Sequence, residues 1–147
     1  MALAYRLKHY LYNAFRELFI YHHSSLEFRA KVFALVIAAN EHHSECEYEI
    51  IQEAGQAIYN DEDRVNALLL TTREFVEKIH ERDGVDLDTL IHDIVKELKI
   101  IPRYAKKINI DELTPLLSCN RDEDGVSYQK SIIAFLERLK NEYESKL

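Results

Sequence analysis

Apolar positions along this chain recur at steps of three and four, the spacing of one helix face. Leu3, Leu7, Leu11, Phe15 and Leu18 mark such a face over residues 1–23, which reads as an amphipathic helix packed on the domain that follows. Leu26, Phe28, Val32, Phe33, Leu35, Val36 and Ile37 surround the next segment on most sides, the pattern of a helix at the centre of a bundle. A third helix is predicted from Ser44 to about Tyr59, with Ile50, Ile51, Ala54 and Ile58 inward. A fourth, capped by Asn60 or Asp61, carries Val65, Leu68, Leu69, Thr72, Phe75, Val76 and Ile79 and stops near Asp83-Gly84, a C-terminal glycine signal. Asp86 or Asp88 opens a fifth through Leu90, Ile91, Ile94, Val95 and Leu98. Pro102 breaks the chain before a short turn with Tyr104 and Ala105. Asn109, with Glu112 three residues on, can cap a segment through Leu117, although Pro115 weakens it. Ser127 to about Tyr143 completes the set, facing inward with Ile132, Ile133, Phe135, Leu136 and Leu139. No stretch alternates at period two. The expected fold is therefore all-α: a single helical bundle of about seven helices, residues 24–147, with residues 1–23 laid against it.

Two passages repeat one order. Phe33–Ile51 reads FALVIAANEHHSECEYEII and Leu116–Ile133 reads LLSCNRDEDGVSYQKSII. In each, an apolar run ends in a polar, acidic corner, a serine (Ser44 or Ser127) can cap the next helix, and an Ile-Ile pair follows. Ser44 with Glu47 fits a capping box. Repetition of this kind predicts two similar halves whose corners lie on the same side of the domain, near each other.

Composition narrows the function. The formal net charge is −7, which argues against nucleic acid, since phosphate binding needs clustered Lys and Arg, and favours cationic partners or metal ions. Residues 1–23 run the other way, with Arg6, Lys8 and Arg16 against Glu17, so peripheral association with an anionic membrane surface is an alternative to packing on the domain. The apolar run through Phe33–Ala39 is far shorter than the ~20 residues of a membrane span. An h-region at Leu11–Ile20 would be broken by Asn13, Arg16 and Glu17. The expected place is the cytoplasm, with the inner face of the membrane as the variant. Cys46 and Cys119 are the only cysteines; they read as two small, partly buried thiols in a reducing compartment, without a disulfide framework.

The second corner offers the sharper chemistry. Asn120, Asp122, Asp124 and Gly125 match the opening of a calcium loop, with the Val126 carbonyl at the seventh position. Ser131 stands where the loop needs a bidentate Glu, so any divalent cation, calcium or similar, is expected to bind weakly. The bland alternative is a solvated acidic turn with Gly125 at positive φ and Ser127 as cap. The first corner crowds His42, His43, Glu45, Cys46, Glu47 and Glu49, with Glu41 just before, without the fixed spacing of a closed metal site. Glu41, Glu45 and Glu47 are the carboxylates that could complete a site shared between the corners. His22 and His23 suit the end of the first helix, and His80 and His92 suit the surface. No nucleophile elbow, P-loop, dinucleotide fingerprint or kinase motif occurs, and no oxyanion hole accompanies Cys46 and its neighbouring histidines. The chain reads as non-enzymatic.

The corners resemble the TerB-like family, the tellurite-resistance TerB proteins and their relatives, which carry an A-D-G-x-I-S-x-x-E corner after an apolar helix. Here the first corner keeps Ala39, Ser44 and Glu47 but has Asn40-Glu41 for Asp-Gly and His43 at the apolar position; the second keeps Asp124-Gly125-Val126-Ser127 with Lys130 in place of the acid. The resemblance spans roughly Leu26–Leu139. It implies a compact domain of two similar helical halves, an acidic corner surface, no settled catalytic activity, and protein partners in a response to tellurite, other chemical stress or metal ions. The alternatives are a metal-ion sensor or buffer built on the Asn120–Asp124 loop, and a co-chaperone-type domain at a membrane surface.

Overall fold

A computed structural model describes residues 24–40, 44–81 and 86–147. The expectations for residues 1–23, for Glu41, His42 and His43, and for a stop at Gly84 lie outside the described residues. Within them the chain is all-α: α1 (Ser24–Ala38), α2 (Glu45–Tyr59), α3 (Glu62–His80), α4 (Leu87–Ile100), a 3-10 turn (Pro102–Lys107), the single-turn α5 (Ile110–Leu113), a second 3-10 turn (Thr114–Cys119) and α6 (Glu123–Glu144). No strand occurs among the described residues, and none of their helices is long and apolar enough to cross a membrane.

α1 is the axis of the bundle. Every residue from Val32 to Asn40 is buried, because α3, α4, α6 and the first 3-10 turn pack around it. The all-round apolar pattern is what such a position requires. Just before this buried run, the Nζ of Lys31 lies 3.0 Å from Glu97 Oε2 and 5.8 Å from the centre of the Phe75 ring. Burial pushes the Glu97 carboxyl up, and the Lys31 ammonium only partly opposes this.

Local signals set most boundaries. Asn60, at φ 50°, ends α2 in the left-handed conformation that Asn tolerates. Asp61 then accepts the Asp63 N–H at 3.0 Å to start α3. Asp86 accepts both the N–H and the hydroxyl of Thr89 at 2.8 Å, and Asn109 caps α5 while bonding Glu112 at 3.0 Å. Thr72 sits fully buried on an apolar face because its hydroxyl bonds back to the Leu68 carbonyl at 2.7 Å.

Three expectations are corrected. Ile51 of α2 is buried as expected and Ile50 and Ala54 pack half-buried against the core, but the deepest positions also include Glu47, Tyr48 and Gly55, which were not read as inward. Gly55 decides this, since a Cβ there would stand 3.3 Å from Leu68 Cδ2 and 3.4 Å from Val65 Cγ1, so α3 packs against bare backbone. The last helix starts a turn before Ser127: Asp122 is its cap, and Ser127 is an exposed residue inside it. Asp122 already caps this end, and Glu123 and Asp124 then place negative charge on the helix N-terminus. Gly125 accordingly has no positive φ. The lead into the second corner is the 3-10 turn Thr114–Cys119, with Pro115 in its first turn, and not the continuation of the helix capped by Asn109.

Candidate interaction site at the joined corners

The first corner begins where α1 ends. Asn40 is buried, and its amide Nδ2 donates to Glu47 Oε1 at 3.4 Å. The other oxygen, Oε2, accepts the Ser44 N–H at 2.6 Å and the Ser44 hydroxyl at 3.2 Å. Glu47 is fully buried, so these donors and the first turn of α2 replace the water that a carboxylate would otherwise need. The expected capping box is present, but it is more than a local cap: through Asn40 it fixes the exit angle of α1 against the entry of α2.

The second corner uses the same device with a neutral side chain. Asn120 Oδ1 accepts the Asp122 N–H at 3.0 Å, and its Nδ2 donates to Gln129 Oε1 at 3.2 Å. Gln129 is fully buried and passes the connection on, its Nε2 donating to the Val36 carbonyl at 2.9 Å. That carbonyl belongs to the last turn of α1, where helix carbonyls have no partner within the helix. His80 Nε2 lies 3.2 Å from the neighbouring Ala38 carbonyl. Gln129 and His80 thus finish α1 from two other helices, and the second corner is tied to the end of the helix that leads into the first.

A covalent link completes the junction. Cys46, in the first turn of α2, and Cys119, at the end of the second 3-10 turn, form a disulfide across a sequence separation of 73, with their Cα atoms 5.7 Å apart. The expectation of two unpaired thiols is therefore corrected, and the reading of a reducing compartment loses the premise it rested on. Two cysteines so far apart in sequence carry no sign of their pairing, because it depends on the convergence of the corners. That convergence was expected from the repeated order, and it is found. Asn40 and Asp122 both line two adjoining clefts. One, of about 470 Å³, lies between the corners and includes Ser44, the two cysteines and Arg121. The other, of about 420 Å³, includes Asp124, Leu87 and the half-exposed ring of Tyr128.

The candidate metal ligands have these places. Asn120 spends both side-chain groups on the Asp122 N–H and Gln129, and Asp122 Oδ2 accepts the Gly125 N–H at 3.3 Å. Val126 is in the first turn of α6, its N–H bonded to the Asp122 carbonyl at 2.9 Å. A helix start thus stands where the sequence offered either a calcium loop or a solvated acidic turn. Asp124 is exposed at the second cleft. Glu45 is exposed and turned to α3, held by Arg73 at 3.2 and 3.4 Å, while Glu47 is enclosed as described. Among the described residues, no three His, Cys, Asp or Glu side chains converge as metal ligands.

Arg73 and Gln129 were not singled out from sequence, and Asn40 entered only as a departure from the family's corner motif. Arg73 also lies 4.2 Å from the centre of the Tyr48 ring. Burial drives the Tyr48 phenol up to about 12, against the pull of that guanidinium. Gln129 had one legible signal, a polar residue three and four positions before Ile132 and Ile133 on the inward face of the last helix. Comparison of the chain with family models, with curated proteins and with solved structures finds no match.

Proposed function

We propose that the protein is a non-enzymatic, TerB-like domain of a tellurite, chemical or metal-ion stress response, and that it works by holding a protein partner on the face where the corners join. The observation that carries this reading is the junction itself. Two corners distant in sequence are joined by a disulfide, one corner is braced internally by Asn40 and Glu47 and the other is tied to the end of α1 through Asn120 and Gln129, and the clefts open beside the junction. The polar groups there mostly hold backbone in place: Glu47, Asn120, Asp122 and Gln129 each bond to neighbouring backbone or to one another. Such use of polar groups suits a rigid docking face better than a reactive centre. Asp122 and Asp124 with the net charge of −7 favour a partner that presents Lys or Arg, and Tyr128 adds an aromatic surface of the kind enriched at interfaces. The residue pattern Ala39…Ser44…Glu47 and Asp124–Ser127 supports the family reading.

The test is complementation. Cells lacking the gene should be more sensitive to tellurite, and the wild-type chain should restore growth. A chain carrying Asp124→Lys with Tyr128→Ala alters two exposed side chains, so it should fold normally yet fail to restore growth. Full restoration by this variant would remove the corner face from the function, and unchanged tellurite tolerance in the deletion strain would remove the stress reading.

A further inference from the structure

We propose that the Cys46–Cys119 bond is a thiol–disulfide exchange site, open in the folded protein to a small thiol. Cys46 is exposed and Cys119 half-exposed, and both face the cleft between the corners. Disulfides that serve only as staples are resistant to the thiol pool, whereas exposed ones are the labile, regulatory or catalytic kind. The surroundings also make cleavage a local event. With the bond open, the second 3-10 turn still has Leu116 fully buried, and Asn120, Gln129 and the Val36 carbonyl still connect this corner to α1. Ser44, Asn40 and Glu47 hold the other corner without reference to Cys119.

The exchange runs in two steps. A thiolate attacks Sγ of Cys46, the more exposed of the two residues, forming a mixed disulfide there and expelling Cys119 as a thiolate, which takes up a proton. A second thiolate, or the second arm of a dithiol, attacks the incoming sulfur of the mixed disulfide. This releases Cys46, which is protonated in turn, and the reductant leaves as its own disulfide. Two electrons pass from the reductant to the protein, and a low-molecular-weight disulfide reverses the sequence. Cys46 is the second residue of α2, where unpaired backbone N–H groups favour the departing thiolate. Opening the bond removes the covalent tie between the corners and loosens the segments that carry the two cysteines, while the hydrogen-bond networks keep both corners in place.

This inference needs no partner, so it stands or falls separately from the function proposed above. The experiment uses the full chain, first exposed to glutathione disulfide, then to dithiothreitol in non-denaturing buffer. Aliquots are quenched with iodoacetamide and read by mass spectrometry, with circular dichroism in parallel. Both cysteines should become alkylated while the helical signal holds, and the rate should rise about tenfold for a tenfold rise in dithiothreitol, without the ceiling that a rate-limiting opening would impose. Hydrogen exchange should quicken at residues 44–50 and 114–122 and stay unchanged in α1 and α3. Cys119→Ser should leave Cys46 able to take up a glutathione mixed disulfide. Alkylation that appears only with loss of the helical signal, or a rate that levels off with thiol concentration, would overturn the proposal and leave the bond a structural staple. So would failure of the wild-type cysteines to close under glutathione disulfide.

Discussion

Gly125→Ala is a substitution for which the helix rule and the structure disagree. Gly125 lies inside α6 with ordinary helical backbone, and by propensity alone Ala should stabilise a helix there by up to about 1 kcal/mol. The added Cβ, however, would stand 2.6 Å from Asn120 Nδ2. Asn120 can swing aside, but only by giving up its bond to Gln129 Oε1 at 3.2 Å. Gln129 is fully buried, so its oxygen would be left without that donor, at a cost of about 1–3 kcal/mol. The loss exceeds the gain, and Gly125→Ala should destabilise the domain by about 1 kcal/mol. The same reasoning fixes the sign of the coupling. In an Asn120→Ala background the clash is gone, and Gly125→Ala should become neutral or stabilising. Urea unfolding of the wild type, both single variants and the double variant gives the cycle directly. If Gly125→Ala stabilises the otherwise unaltered chain, or if the two changes add, then Asn120 does not hold Gln129 through this contact and the described link between the second corner and α1 is wrong.

Asp122→Ala removes the cap of α6 and should cost about 0.5–2 kcal/mol in urea unfolding; the loss should be the same with and without millimolar calcium, and a calcium-dependent part would revive the metal loop. The Tyr48 phenol, pushed up to about 12 by burial, should appear as a late step in an ultraviolet titration that is missing from Tyr48→Phe. Because the folded state holds this proton more tightly, its contribution to stability is intact below pH 10.0, the ordinary value for the group, and falls as pH rises towards 12. A Tyr48→Phe difference spectrum centred near the ordinary value would contradict the burial. Arg73→Gln removes both the exposed pair with Glu45 and the contact with the Tyr48 ring, and thermal unfolding should show a loss of about 0.5–1.5 kcal/mol; no loss would mean that Arg73 does not clamp α2 to α3.

What the sequence disclosed followed the range of each signal. Helices α1 to α4 were legible because apolar period and capping residues act within a few positions: the Ser44–Glu47 box is found as read, and Asp61 and Asp86 are each one of the two caps the sequence offered, as Asn109 is the cap read for α5. The start of α6 was not, because Asp122 and Ser127 are both good caps and the choice depends on what lies opposite. Asn120 must lie beside Gln129 for the second corner to reach α1, and the helix that begins at Glu123 satisfies this. Gly125 was misplaced for a related reason: a glycine required by a close approach, here to Asn120, looks in sequence like a glycine required by a turn. The nearness of the corners could be inferred from their repeated order, whereas the disulfide could not, since nothing local to Cys46 or Cys119 names the other.

The joining of the corners is best tested by peptide mapping of the full chain after exposure to glutathione disulfide, with free thiols blocked and no reductant present. The expected result is one linked peptide pair containing Cys46 and Cys119. Recovery of the two cysteines on separate peptides, each blocked as a free thiol or capped by glutathione, would show that the corners do not meet.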